Sequence, residues 1–300
     1  MQRIVPHLWF DHQAEEAAEW YTSIFPRGEI KEVARVREAA AGALGRPPGS
    51  ALTVQFDLGG SPLLALNGGP AFQHTPAISF YVTLETEAEV DALWAALSEG
   101  GTVRMPLDAY PWSPRYGWVD DRYGVSWQLS FGTRDDVGGQ TLVPALLFVG
   151  PQHGRAEEAL RAYTSIFQPS QVRGILHHDG SGPDPAGTVM HAQFSLQGVT
   201  FMVMDSAHAH DFGFTEALSF VVRCETQEEV DRYWSALSAV PEAEQCGWLK
   251  DAFGVSWQVV PNALPKLLQD PDPEKAGRVM GAMLQMKKLD IAALERASGG

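Results

Sequence analysis

"DRYGVSWQLS" at residues 121–130 and "DAFGVSWQVV" at residues 251–260 are two copies of one motif. Each copy places an aspartate before a glycine and then continues with Val-Ser-Trp-Gln. An internal repeat sets the architecture of a chain, because each copy of the repeated unit folds in the same way. The extent of this repeat therefore decides the fold.

Matches on either side extend the repeat over most of the chain, and they occur in the same order in both halves. The further pairs are "YTSIF" at residues 21 and 163, "QFDL" and "QFSL" at residues 55 and 193, and "ISFYVTLETEAEVDALWAALS" and "LSFVVRCETQEEVDRYWSALS" at residues 78 and 218. The last pair aligns without a gap. The chain is therefore a tandem duplication, and its 300 residues suit two domains of about 150 residues each.

The segment "GTRDDVGGQ", residues 132–140, separates two apolar runs with glycines and charges, as linkers between domains do. The predicted organisation is a first domain over residues 1–133, a linker over 134–140, a second domain over 141–262 and a tail over 263–300. The tail leaves the repeat. Its apolar residues recur at helical spacing, which predicts a helical tail that docks on a domain or on a second copy of the chain.

Composition excludes several classes of protein. The chain is 45% hydrophobic and 20% charged, and it has no apolar stretch near the ~20 residues that a membrane-spanning helix needs. The start, "MQRIVPHLWF", does not resemble a signal peptide. A net charge of −15 would repel nucleic acid. Cys224 and Cys246 have no cysteine counterparts in the first half and are interpreted as structural thiols. We expect a cytoplasmic protein with no membrane or nucleic-acid partner.

Each half contains the same order of predicted elements twice. An apolar strand, "IVPHLWF" in the first half and "LVPALLFVG" in the second, precedes an amphipathic helix and further strands. The order restarts at "ISFYVTL", where Thr86 and Glu89 form a predicted capping box for a second helix. The chain therefore holds four β-α-β-β-β modules in an α+β fold. We expect two domains of eight strands each, and exchange of equivalent modules between the halves stays open.

The double module, together with "LWFDHQAEEAAEWYTSIFP" and "DRYGVSWQL", resembles the vicinal oxygen chelate superfamily. That superfamily includes glyoxalase I, the fosfomycin and bleomycin resistance proteins and the extradiol dioxygenases. The chain is most similar to its PhnB-like branch, which often carries a demethylubiquinone methyltransferase-like label. The resemblance reaches to about Pro261. It implies two tandem vicinal oxygen chelate domains, each with a pair of modules that form a curved sheet around a cleft.

The resemblance also implies where metal ligands would stand. The corresponding positions are His7, Ser79 and Gln128 in the first half and Ala145, Ser219 and Gln258 in the second. A divalent ion needs three or four imidazole, carboxylate or thiolate donors, and each half offers at most one. We therefore expect no metal cofactor, and a divalent ion, if one is bound, would use His7 and Gln128.

A small-molecule site is expected in the cleft of the first domain. Alternation along a strand places His7 and Trp9 on one face, and likewise Ser79 and Tyr81, while the resemblance brings both strands to the same cleft. The aromatic hairpin of residues 107–116, which the second half lacks, would cover it. The expected lining is His7, Trp9, Ser79, Tyr81, Trp112 and Gln128. His7 is interpreted either as a structural histidine or as a base, and no catalytic residue is assigned.

Three functions stay open. The favoured one is a glyoxalase-like or PhnB-like protein that binds a small molecule in a cleft without a catalytic metal. The alternatives are a metal-dependent lyase, isomerase or resistance enzyme of glyoxalase or fosfomycin type, and a non-catalytic structural or regulatory module. Whether the protein is an enzyme is not decided by the sequence. The expected partners are a small-molecule ligand and, in a homodimer, a second copy. No Gly-rich strand-to-helix motif supports a dinucleotide or S-adenosylmethionine site.

Overall fold

Both repeats form the elements that their matching sequences predict, in a computed structural model that describes residues 2–38, 41–42 and 45–299. The first repeat contains β1 (Ile4–Phe10), α1 (Ala14–Ile24), β2 (Gly28–Arg35), β3 (Ala51–Leu58), β4 (Ser61–Asn67), β5 (Ile78–Leu84), α2 (Glu87–Ser98), β6 (Thr102–Tyr110), β7 (Ser113–Asp120) and β8 (Ser126–Phe131). The second contains β9 (Leu142–Phe148), α3 (Ala156–Ile166), β10 (Ser170–His177), β11 (Val189–Leu196), β12 (Val199–Asp205), β13 (Leu218–Cys224), α4 (Gln227–Leu237), β14 (Trp248–Lys250) and β15 (Ser256–Pro261). The tail contains α5 (Ala263–Leu268), α6 (Pro273–Leu284) and α7 (Ile291–Gly299).

The predicted capping box opens α2. Thr86 Oγ1 accepts a hydrogen bond from the backbone N–H of Glu89 at 3.2 Å, and the Glu89 carboxylate accepts from the Thr86 N–H at 3.0 Å. These two bonds satisfy backbone donors that a helix start leaves unpaired. The helix then buries Val90, Leu93 and Leu97, so it presents one apolar face to the core.

The strands form two sheets, and each sheet draws on both repeats. Sheet A has the order β14-β15-β13-β1-β4-β3-β2, and sheet B has the order β10-β11-β12-β9-β5-β8-β7-β6. β1 pairs antiparallel with β13, and β5 pairs antiparallel with β9. Each sheet therefore joins the first module of one repeat to the second module of the other. The predicted α+β class is confirmed, and equivalent modules are exchanged between the repeats.

Sheet A has seven strands, so the expectation of eight strands in each unit is wrong for this sheet. The missing strand corresponds to β6, whose hairpin with β7 is replaced in the second repeat by the short sequence "PEAEQC". In that part of the described chain a 3-10 turn, Pro241–Ala243, leads to an isolated bridge between Gln245 and Trp248. The segment is too short to form a full strand and return.

The repeated motif holds the two modules of one repeat together. The Oδ2 atom of Asp121 accepts hydrogen bonds from the Tyr21 hydroxyl at 2.7 Å and from the Trp127 indole N–H at 2.8 Å. Its Oδ1 atom accepts from the backbone N–H groups of Tyr123 and Val125 at 2.8 and 3.1 Å. Tyr21 belongs to α1, which packs on sheet A, whereas Asp121 precedes a strand of sheet B. The motif therefore joins the two sheets within the apolar core.

The second repeat contains the same buried cluster. Asp251 accepts hydrogen bonds from the Tyr163 hydroxyl at 2.7 Å and from the Trp257 indole at 2.8 Å. Both motif tryptophans, Trp127 and Trp257, are buried in the core as expected. The motif is thus duplicated because each repeat needs the same connection between its modules.

The tail docks on sheet A of the same chain. Leu264, Val279, Leu289 and Leu294 form its own apolar cluster. The Arg37 side chain, next to β2, donates to the Asp270 carbonyl at 2.6 Å, which ties the tail to the edge of the sheet. Among the residues that the structure describes, no helix has the length and apolarity that crossing a bilayer requires.

Candidate functional site

The six residues expected to line one cleft are divided between the two sheets. His7 and Trp9 lie on β1 of sheet A, whereas Ser79, Tyr81 and Gln128 lie on sheet B and Trp112 lies at the tip of its hairpin. The expectation of one common cleft for all six is wrong, because β1 pairs with β13 of the other repeat and not with β5. His7 and Gln128 are consequently not brought together as ligands of one ion.

The module exchange regroups the positions at which the resemblance implies metal ligands. In sheet A, His7 stands opposite Ser219, and the Gln258 amide donates to the Ser219 hydroxyl at 3.0 Å. In sheet B the corresponding set is Ala145, Ser79 and Gln128, and the Gln128 amide donates to the Ser79 hydroxyl at 2.8 Å. Each set therefore combines residues from both repeats.

The middle of the exposed face of sheet B is covered by apolar side chains. Val137, from the 3-10 turn Arg134–Val137 between the repeats, packs with Val143, Ala145 and Met202. The amide oxygen of Gln128 also has a partner within the protein, because it accepts a hydrogen bond from the Tyr116 hydroxyl at 2.7 Å. An open depression of about 670 Å³ remains near the outer strands β10 and β11, where His191 and Gln193 contribute to its wall.

The aromatic hairpin between β6 and β7 packs on sheet B, not on the sheet that contains His7. The Tyr110 and Trp112 rings stack at 5.1 Å, and Tyr116 meets the Trp112 ring edge-on at 5.5 Å. Trp112 remains 60% exposed. The hairpin therefore adds an aromatic wall to sheet B and leaves the face of sheet A to the tail.

Sheet A carries a partly covered cavity with a volume of about 750 Å³. We define the sheet A cleft by its floor, its rim and its roof. The floor includes His7, Thr53, Gln55, Leu64, Val221, Arg223 and Gln258, the rim is residues 32–37, and the roof includes Leu264, Lys266, Leu268, Gln269 and Met280. Both repeats and the tail are needed to enclose it. Its volume falls within the range of about 300–1,000 Å³ typical of small-molecule sites.

His7 presents a neutral imidazole at the floor of this cleft. The ring is buried and meets the Trp248 ring edge-on at 5.5 Å, and no described residue hydrogen-bonds its Nδ1 atom. Burial, with a smaller effect from His74, lowers the pKa of His7 to about 3. A base this weak is poorly matched to proton abstraction near neutral pH. His7 therefore contributes a neutral ring surface to the floor of the cleft.

Trp9 is the other predicted residue on β1, and its indole N–H is already hydrogen-bonded within the protein. The indole N–H donates to the Gly69 carbonyl at 2.7 Å. The ring packs edge-on against Phe72 at 4.9 Å and against Trp248 at 6.0 Å. Trp9 thus supports the ring of Trp248, which in turn supports His7.

The donors of the sheet A cleft do not fit a divalent metal. His7 is accompanied by a hydroxyl, Ser219, and a neutral amide, Gln258, which is a weak donor set. The carboxylate of Glu32 at the rim accepts hydrogen bonds from the side chains of Gln55, at 3.0 Å, and Gln269. In the described ranges, no three His, Cys, Asp or Glu side chains are grouped in a way that could hold an ion. We therefore assign no chemical step to a metal.

The basic residues of the cleft, and the position of the tail helices over it, were not predicted from the sequence. Arg35, Arg37 and Arg223 lie on the floor and rim, and Lys266 lies on the roof. The repeat gives no signal for Arg223, because its counterpart in the first half is Thr83. The tail's apolar spacing predicts helices but does not indicate the surface on which they dock.

A family model described as 3-demethylubiquinone-9 3-methyltransferase matches residues 2–130 and 140–260. A PhnB protein from Bacillus cereus is 39% identical, with 44% of this chain and 100% of that chain covered and a TM-score of 0.41. Glyoxalase I from Zea mays is 9% identical, with 90% of this chain and 98% of that chain covered and a TM-score of 0.54. The latter likeness shows the fold alone. No curated protein matches.

Proposed function

The chain belongs to the 3-demethylubiquinone-9 3-methyltransferase family, the PhnB-like branch of the vicinal oxygen chelate fold, and on this premise we propose that it binds a small organic molecule in the sheet A cleft without a catalytic metal. The observation that carries the proposal is the cavity of about 750 Å³ enclosed by both repeats and the tail. The proposal specifies binding and leaves the reaction unassigned. Its cytoplasmic location and homodimeric state stay predictions.

The composition of the cleft supports small-molecule binding. Leu64, Val221 and Met280 give apolar walls, while His7 and Gln258 add a few polar groups at the floor. Apolar walls with a small number of polar groups are typical of ligand sites, because burial provides affinity and the polar groups orient the ligand. On sheet B the corresponding amide, Gln128, is bonded through its nitrogen to Ser79 and through its oxygen to Tyr116, whereas the bond from Gln258 to Ser219 uses the nitrogen.

The family description refers to methyl transfer, but the sequence and the cleft favour binding over that reaction. Methyl transfer from S-adenosylmethionine would need a donor site, and the sequence has no Gly-rich strand-to-helix motif of the usual kind. The sheet A cleft also lacks an imidazole that titrates near neutrality, since the pKa of His7 is about 3. Recognition of a ligand is the role that its residues support best.

A ligand screen on the whole protein tests the proposal. Compounds that bind the folded protein raise its melting temperature by mass action. Thr53→Trp would fill the sheet A cleft, and His191→Trp places the same bulk at the equivalent position of the other repeat, beside the open depression on sheet B. We expect Thr53→Trp to abolish stabilisation by the hits and His191→Trp to leave it unchanged. The reverse pattern would assign the site to sheet B and contradict the proposal.

A further inference from the structure

The charge of the sheet A cleft is opposite to that of the protein. The chain has 22 basic and 37 acidic residues, with a net charge of −15. Yet the described residues that line the cleft include Arg35, Arg37, Arg223 and Lys266, with Glu32 as their single carboxylate. Walls of low dielectric concentrate the field of charges that line a cleft. A positive cleft in an acidic protein indicates selection for an anion.

The basic residues differ in how far their charge is already neutralised. Arg35 forms an ion pair with Glu15 of α1, with 2.6 Å between Nη2 and Oε1, so its charge is compensated. Arg37 instead donates from Nη1 to the neutral Asp270 carbonyl at 2.6 Å. A guanidinium has five N–H donors, so this contact leaves Arg37 with donors and with its full charge. Arg37 is therefore suited to binding an acidic group.

Arg223 reaches the same cavity from the floor. It follows Ser219 and Val221 in alternation along β13, whereas Phe220 and Val222 face the core. Burial lowers the pKa of the Arg223 guanidinium, because desolvation disfavours its charged form. Arg223 thus adds to the positive charge that lines the cleft.

We propose that the ligand of the sheet A cleft is an anionic, amphipathic small molecule, whose acidic group is bound by Arg37. Its apolar part packs against Leu64, Val260 and Met280, which line the same cavity. The inference rests on the proposed function and specifies the class of ligand. A carboxylate, sulfonate or phosphate would satisfy it, because each offers several acceptor oxygens to a guanidinium.

Two fluorescent dyes that share their rings test this inference. Anilinonaphthalene sulfonate carries the acidic group, and N-phenylnaphthylamine is its neutral analogue. Titration of the full chain measures the affinity of each dye. Arg37→Gln should lower the affinity for the sulfonate about tenfold, as expected for a lost charge-assisted hydrogen bond. It should leave the affinity for the neutral dye unchanged.

Matched variants separate charge from structure. Arg161→Gln removes a guanidinium that lies outside the cleft, on the exposed face of α3, where it is paired with Glu157, so it should change the affinity for neither dye. Gln at position 37 retains a donor for the Asp270 carbonyl, and Arg37→Lys restores the charge and should restore sulfonate binding. On the unmodified protein, added salt should weaken binding of the sulfonate but not of the neutral dye. This measurement needs no variant to fold.

The outcomes distinguish the inference from the proposed function. If Thr53→Trp abolishes binding of both dyes while Arg37→Gln leaves the sulfonate affinity unchanged, the cleft binds ligands without charge selection. The inference would then be wrong and the proposed function would stand. If neither dye binds, or if both still bind with full affinity to Thr53→Trp, both proposals are wrong.

Discussion

Replacing Tyr21 by phenylalanine removes one hydroxyl from the buried cluster that the repeated motif builds. That hydroxyl donates at 2.7 Å to Asp121, whose carboxylate also receives the Trp127 indole and two backbone N–H groups. A hydrogen bond to a charged group contributes about 1.5–3 kcal/mol. Because three donors remain in the variant, we expect a loss of about 2 kcal/mol in the free energy of unfolding, near the middle of that range.

The loss should depend on pH. Burial raises the pKa of Asp121 to about 6 from 3.8, against the opposing effect of the hydrogen bonds from Tyr21 and Trp127. A carboxyl with a raised pKa binds more protons in the folded than in the unfolded protein, so stability falls as pH rises from about 4 to about 6. Without the Tyr21 hydroxyl the pKa of Asp121 rises further. The difference in stability between wild type and Tyr21→Phe should therefore be larger at pH 8 than at pH 5.

Thermal unfolding followed by circular dichroism at both pH values measures this effect, and about 2 kcal/mol should lower Tm at pH 8 by on the order of 5 °C. Tyr163→Phe removes the equivalent hydroxyl from Asp251 and should cost a similar amount. Tyr123→Phe is the matched control, because its hydroxyl donates to Glu16 at the exposed surface and should contribute less than about 0.5 kcal/mol. A Tyr21→Phe effect no larger than the control, or equal at both pH values, would refute the reasoning.

Three further predictions follow from the sheet A cleft. Protein purified without chelator should contain much less than one zinc, nickel, manganese or iron ion per chain, and a stoichiometric ion measured by mass spectrometry would contradict the donor set. The affinity for N-phenylnaphthylamine should not change between pH 5 and 8, because the pKa of His7 is about 3 and the imidazole stays neutral. A titration with a midpoint near 6.5 would contradict this. Removing residues 263–300 should weaken binding of both dyes, since the roof supplies Leu264 and Met280. Unchanged affinity would show that the tail is not part of the site.

The four modules could be predicted because hydrophobic periodicity and repeated motifs can be recognised within short stretches of the sequence. The pairing of modules could not, because β5 ("ISFYVTL") and β13 ("LSFVVRC") have almost the same pattern and offer β1 equivalent partners. Only the assembled structure shows that β1 pairs with β13 and not with β5. The same limit explains why His7 and Gln128, both predicted as cleft residues, lie on different sheets.

Only part of the candidate site was predicted, because the site depends on which modules pair. His7 and Gln258 could be identified from their positions on strands, and the structure joins them because β13 brings β15 to β1. Arg37 lies outside the repeat's matched blocks and the tail lies after them, so neither has a counterpart from which a role could be inferred. A helical pattern in the tail gives its apolar face but not the surface that this face covers.

A crystal structure of the full chain with anilinonaphthalene sulfonate bound would test most directly whether the sheet A cleft is the ligand site. The dye rings are expected between the floor at His7 and Gln258 and the roof at Met280, with the sulfonate within hydrogen-bonding distance of Arg37. Dye bound instead on sheet B, beside His191 or Trp112, with the sheet A cleft empty, would contradict the account.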